Sequence, residues 1–254
     1  MTKVNNNSPK KLYLINLSVN QNAEISCVFQ PFKACFIIDF IVTRKGALTM
    51  KVLLINGSPR KNGNTSFALK KLEEAFNELG VETETIDIGF EAIRGCIACG
   101  YCKNNGKCVF DDMVNKIAPK FKEADGIVIG SPVYYASANA TAVAFMQRLF
   151  YSTNFDKTMK VGASVVVARR GGCSATFDEL NKFFTISGMP IASSCYWNSV
   201  HGREKGEAEQ DLEGIRTMRT LAKNMTFLMK SIALGKKEYG LPEKEPGVYT
   251  NFIR

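Results

Sequence analysis

The sequence predicts an α/β fold, a doubly wound five-stranded parallel sheet with helices on both faces. Three observations point to it. From residue 50 onward, short β-prone runs alternate with stretches of helical period, the pattern of a parallel sheet with right-handed crossovers. The runs at 52–55 and 127–129 are apolar without alternation, as strands covered on both faces must be. The segments that follow those runs are rich in Gly, Pro, Ser and Asn, which suit tight exits from a strand.

The first strand is expected at 51–56, with Gly57 and Pro59 ending it. The first helix, 64–79, carries Phe67, Leu69, Leu72 and Phe76 at near-helical spacing, and Gly80 closes it. Residues 81–88 alternate polar and apolar, which suits a strand at the sheet edge. A cysteine-rich loop, 95–110, follows. Asp111 and Asp112 then open a helix to 124, where acidic residues complement the helix dipole. The third strand lies within GIVIGSP, 126–132, and a helix spans 138–151. Residues 161–168 make the fourth strand, 174–186 the fourth helix and 190–194 a short fifth strand. The last long helix runs over 210–233, and the tail with its two prolines wraps the surface or a partner subunit. Five strands so connected favour the flavodoxin-like order, with ligands beyond the carboxyl ends of the strands.

Residues 1–49 are foreign to this pattern and are expected to lie outside the fold. Lys45, Gly46 and Ala47 can be encoded by a ribosome-binding sequence just before Met50, so Met50 is expected to be the natural start and 50–254 the folded domain.

Of the 254 residues 45 % are hydrophobic and 22 % charged, ordinary for a globular protein. The net charge of +9 is spread along the chain without a block of like charges, so no nucleic-acid footprint is expected. Apolar runs are too short for a membrane span. The N-terminus lacks a secretory pattern, which places the chain in the cytoplasm. Thiols stay reduced there, so the eight cysteines point to metal or redox chemistry and not to disulfides.

Loops after the first, third and fourth strands converge at one end of such a sheet. The first, GSPRKNGNTS at 57–66, has Gly63 for a turn and Asn64, Thr65 and Ser66 where helix caps sit. Free N–H groups and hydroxyls at a positive helix end form an anion site. Neither G-x-x-x-x-G-K-[ST] nor G-x-G-x-x-G occurs, which argues against a P-loop or a dinucleotide fingerprint. A hydroxyl-rich loop with Arg60 suits a single phosphate monoester, such as the tail of FMN. The second loop, SPVYYASANA at 131–140, offers Pro132, Tyr134 and Tyr135 as flat apolar walls. In the third, ARRGGC at 168–173, Gly171 and Gly172 allow backbone N–H groups to approach a ring closely.

The runs GSPRKNGNTS and SPVYY resemble the NADPH-dependent FMN reductase superfamily of flavodoxin-like proteins. The resemblance covers residues 50–254. It implies FMN, with Ser58, Arg60, Asn64, Thr65 and Ser66 around the phosphate, and Pro132, Val133, Tyr134 and Tyr135 beside the ring. Arg169, Gly171 and Gly172 carry over less securely.

In CIACGYCKNNGKC, Cys96, Cys99, Cys102 and Cys108 stand at spacings of three, three and six. Four thiolates so placed suit a [4Fe–4S] cluster. The alternatives are zinc, which prefers two separated pairs, and free or redox-active thiols. The spacing is similar to that of the iron–sulfur flavoproteins, a branch of the same superfamily. Cys173 and Cys195 read as small core or loop residues. Trp197 and the lone His201 fit either a substrate pocket over the flavin or a structural turn before the last helix.

The function expected is that of an FMN-dependent oxidoreductase or electron-transfer flavoprotein, with a [4Fe–4S] cluster passing electrons to or from FMN. The alternatives are a metal-free NAD(P)H-dependent reductase of flavin, quinones or nitro compounds, and a flavodoxin-like carrier that is not an enzyme. The redox partner is a ferredoxin-like protein or a small acceptor. No motif identifies an NAD(P)H site. The resemblance implies a homodimer or homotetramer in which flavin and cluster meet across an interface.

Overall fold

The computed structural model describes residues 49–250 and 252. The expected extension and the choice of start therefore lie, but for Thr49, outside the described residues.

Strands β1 (Lys51–Asn56), β2 (Glu82–Asp87), β3 (Gly126–Tyr134), β5 (Val161–Ala168) and β6 (Ser199–His201) form a parallel sheet in the order β2-β1-β3-β5-β6. This is the flavodoxin-like order. A sixth strand, β4 (Ser137–Ala138), folds back antiparallel on β3. Helices α1 (Asn64–Glu78), α2 (Tyr101–Asn105), α3 (Met113–Glu123), α4 (Ala140–Ser152), α5 (Cys173–Thr185) and α6 (Leu212–Tyr239) connect and cover the strands.

Alternation along the strands divides the core in two. Val52, Leu54, Val128, Ala163 and Val165 face α1 and α6, where Leu69, Leu72, Phe76, Leu221 and Met225 are buried. Leu53, Ile55, Ile127, Ile129 and Val166 face α3, α4 and α5, where Phe121, Phe145, Leu149, Leu180 and Phe184 are buried. Every residue of β5 is buried, which explains its unbroken apolar run VGASVVVA. No residue of β2 is buried, and Glu84 pairs with Lys51 and Lys120. Charge at an open edge discourages pairing with another chain.

Two corrections concern strands. The fifth parallel strand is not 190–194. Ile191 makes only an isolated bridge to Gly162, and the chain rejoins β5 at Ser199. The edge strand is thus interrupted by the irregular stretch 193–198, SSCYWN, and only its second part reaches the functional end of the sheet. The sixth strand arises from a two-residue reversal in which Tyr135 (φ 51°) and Ala136 (φ 60°) are both left-handed. Such turns normally signal themselves by Asn-Gly, and this one carries no such signal. The last helix continues to Tyr239, beyond the apolar period, with Lys236 and Lys237 in a final turn where positive charge is favourable.

Candidate functional site

The β1–α1 loop is fixed by short-range hydrogen bonds. Ser58 N–H donates to Asn56 Oδ1 (3.1 Å), and Arg60 N–H donates to Ser58 Oγ (3.2 Å). Asn139 Nδ2 donates to the Gly57 carbonyl (2.6 Å) and its N–H to Ser131 Oγ (2.9 Å), which ties the first loop to the second. Gly89 packs so closely on the Ser58 backbone that a Cβ there would overlap it.

Helix α1 starts from an extended Gly63, and no side chain caps it. The first intrahelical bond runs from Phe67 N–H to the Gly63 carbonyl. The N–H groups of the first turn therefore point out of the helix end, where the dipole favours an anion. This corrects the expectation that Asn64, Thr65 and Ser66 sit at caps. They form the first turn itself.

These N–H groups border a cavity of about 190 Å³ at the carboxyl ends of β1, β3 and β5. It is lined by Ser58, Arg60, Asn64 and Thr65 on one side, Pro132, Val133 and Tyr134 on another, and Arg169 on a third. Three guanidinium groups, those of Arg60, Arg169 and Arg203, border it, and no carboxylate does. That electrostatic bias suits an anionic ligand.

Four of the expected residues stand elsewhere. Ser66 turns to the other side of α1, where its Oγ accepts from Asn56 Nδ2 (2.9 Å). Tyr135, fully exposed in its left-handed turn, points away from the cavity. A Cβ at Gly171 would meet open space, and Gly172 lies behind the wall. Gly172 has φ +90°, and a Cβ would stand 2.8 Å from both Ala136 Cα and Val133 Cγ1. The requirement at Gly172 is close packing between two loops, not contact with a ring. Gly172→Ala is expected to cost about 1–2 kcal/mol through the left-handed backbone alone. Thermal melting and FMN titration of this variant check it, and unchanged values of both would reject the close-packing role.

Asn64 lines the cavity, yet its side chain is occupied. Nδ2 donates to the Glu204 carbonyl (2.9 Å), and Oδ1 accepts from Gly206 N–H (3.2 Å). It thereby anchors the loop after β6, whose Gly202 and Arg203 also line the cavity. These two residues, with Val167 and Ala168, escaped sequence reasoning. A fifth strand placed at 199–201 would have located the first pair at the same sheet end.

Neither Trp197 nor His201 lines the cavity. Trp197 packs on Tyr196 with ring centroids 4.6 Å apart. His201 Nδ1 is 3.5 Å from Asp211 Oδ2, and Nε2 is 3.8 Å from Cys173 Sγ. Asp211 also accepts from the N–H groups of His201 (2.6 Å) and Gly214 (2.8 Å), so this cluster fastens the turn that begins α6. Burial pushes the Cys173 thiol up from its ordinary value.

Cys96, Cys99, Cys102 and Cys108 border one apolar depression, together with Ile97, Phe110, Arg148 and Ser152. Ala98 (φ 52°) and Gly100 (φ 71°) bend the loop between the first three cysteines, and the short α2 separates Cys102 from Cys108. Cys96 and Cys99 are exposed, while Cys102 and Cys108 are half-buried. Among the described residues no three His, Cys, Asp or Glu side chains are gathered as a ready ligand set. Beneath Cys108 lies Arg148, which also escaped sequence reasoning. A single arginine between Phe145, Met146 and Leu149 on a buried helix face was the available signal.

Residues 50–204 match the family described as NADPH-dependent FMN reductase. An iron–sulfur flavoprotein of Methanocaldococcus jannaschii is 36% identical over 191 residues, covering 72% of this chain and 99% of that protein. An iron–sulfur flavoprotein of Methanosarcina thermophila is 34% identical over 188 residues, covering 72% and 97%. Among solved structures, RosB with a bound 8-demethyl-8-formylriboflavin-5'-phosphate intermediate superposes with a TM-score of 0.58 at 16% identity, covering 81% of this chain and 93% of that one. At that identity the last likeness speaks for the fold alone.

Proposed function

The chain belongs to the NADPH-dependent FMN reductase family and is an FMN-dependent oxidoreductase; on that premise we propose that it carries, beside FMN, a [4Fe–4S] cluster held by Cys96, Cys99, Cys102 and Cys108. The observation that supports this most is a single depression bordered by all four cysteines, with no carboxylate or imidazole among its lining residues. An all-sulfur donor set suits an iron–sulfur cluster. The hydroxyl of Ser152, buried there without a hydrogen-bond partner, is the second support.

The residues of the cavity fit FMN. The first-turn N–H groups of α1, with Ser58, Arg60 and Thr65, would hold a phosphate. Pro132, Val133 and Tyr134 would cover one face of the ring, and Arg169 and Arg203 would face remaining negative charge. Tyr134 is half-exposed, so the wall leaves access for a substrate or redox partner. When bound, the flavin supplies two-electron acceptance and single-electron release, and the cluster supplies single-electron relay. No helix among the described residues is long and apolar enough to cross a membrane.

The partner on this reading is a ferredoxin-like protein or a small electron acceptor, NAD(P)H is a candidate donor, and the working unit is a homodimer or homotetramer. The exposed, ungathered state of Cys96 and Cys99 favours one second reading, a metal-free NAD(P)H-dependent reductase.

An absorption spectrum of the full chain, purified without oxygen, separates the two. Flavin bands over a broad absorbance that bleaches on reduction support the iron–sulfur reading. Flavin bands alone, with rapid NAD(P)H oxidation, support the metal-free reductase. A colourless protein that takes up no added FMN would overturn both.

A further inference from the structure

One face of α4 directs two donors at the thiol depression. Arg148 is 1% exposed, and it heads the fully buried side chains by size. Its Nε donates to Cys108 Sγ at 3.2 Å. Nη1 and Nη2 donate to the two oxygens of Asp112 at 2.5 and 3.0 Å, and further to the carbonyls of Arg94 and Phe110, both at 3.3 Å. Ser152 follows one helical turn later on the same face, and its buried Oγ has no partner.

Cys108 is fixed from the other side as well. Its N–H donates to Asn115 Oδ1 (2.9 Å), and its carbonyl accepts from Asn115 Nδ2 (3.0 Å). Cys108, like Cys102, is half-buried, while Cys96 and Cys99 stand on an exposed loop. A guanidinium is seldom buried without several partners, and a buried hydroxyl without any is unfavourable. Arg148 has its partners, Cys108 Sγ among them, and the Ser152 hydroxyl gains one if a sulfur atom of a bound group accepts from it.

We propose that Arg148 and Ser152 are positioning residues for the cluster, donating hydrogen bonds to its sulfur atoms and raising its reduction potential. This rests on the cluster reading given above. Reduction adds one electron and no proton, and the added charge spreads onto the sulfurs. Donors facing those sulfurs therefore stabilise the reduced form more than the oxidised form. Asp112 offsets most of the positive charge of Arg148, so the effect comes from the directed N–H group and not from net charge.

The test measures the cluster midpoint by anaerobic titration with dithionite, and the electron paramagnetic resonance of the reduced protein, for the full chain reconstituted with iron and sulfide. The variants are Ser152→Ala and the paired Arg148→Met with Asp112→Asn, which removes both charges together. Each is expected to lower the midpoint and alter the resonance. The paired variant is expected to shift the one-electron equilibrium about tenfold, or about 59 mV. Before reconstitution, Ser152→Ala should melt no lower than the natural protein, because it removes a hydroxyl that had no partner. Midpoints and resonances equal to the natural ones overturn the inference while leaving the cluster in place. If the paired variant fails to fold, Ser152→Ala decides, and an unmoved midpoint there overturns it. A natural protein that takes up no iron overturns the cluster reading itself, and the inference with it.

Discussion

Replacement of Cys99 by Ser is expected to abolish iron uptake while leaving FMN bound at its normal stoichiometry. The residues that line the phosphate-side cavity and those that line the thiol depression have no member in common. Cys99 is exposed, so its loss leaves the core intact. A serine hydroxyl is a poor substitute for a thiolate, and the four-cysteine ligand set is left one thiolate short. Iron and flavin analysis, with a melting curve, reads the result directly. Loss of FMN along with iron would show that the 95–110 loop supports the flavin cavity. Retention of a full complement of iron would place the ligands elsewhere.

What the sequence disclosed followed from periodicity and strand chemistry. Residues 52–55 and 127–129 had to be buried on both faces, and they are, with alternate side chains going to the two cores. The loops after β1 and β3 were legible because Gly, Pro, Ser and Asn mark a strand exit irrespective of tertiary context. The edge strand was less so. Its two short pieces, around Ile191 and at Ser199–His201, are separated by an irregular stretch, and neither has the length that marks a strand. Placing the strand too early hid Gly202 and Arg203.

The remaining departures are of side-chain direction. Sequence spacing grouped Asn64, Thr65 and Ser66, but successive residues of a helix point about a hundred degrees apart. Thr65 faces the cavity, while Ser66 turns to Asn56 on the other side. Tyr134 and Tyr135 diverge for the same kind of reason, since the chain reverses between them in a left-handed turn. Arg148 was concealed by its setting. An arginine within a helix reads as a solvent-facing residue until its neighbours show that its whole face is buried. Burial opposes the charge of Arg148, yet its pKa is held above the ordinary value for an arginine because its hydrogen bonds to Asp112 and Cys108 outweigh the burial.

Arg60→Ala and Ser66→Ala make a paired experiment on the phosphate end of the cavity. Arg60 lines the cavity and is exposed, so removing it should take away a charge-assisted contact worth about 1.5 kcal/mol, or roughly tenfold in the FMN Kd. The difference should shrink as salt is raised, because an exposed ion pair is screened. Arg169 and Arg203 border the same cavity, so binding should weaken without being lost. Ser66→Ala should leave the Kd unchanged, because its hydroxyl is engaged with Asn56 away from the cavity. Fluorescence titration of the metal-free natural protein and both variants, at low and high salt, measures all six values. Equal affinities for the Arg60 variant and the natural protein would assign the phosphate to the helix end and its free N–H groups without the guanidinium. A weakened Ser66 variant would mean that α1 turns when FMN enters, carrying that hydroxyl into the site. The two outcomes are separable because Arg60 lies in the loop before α1 and lines the cavity, whereas Ser66 lies within the helix and turns to Asn56.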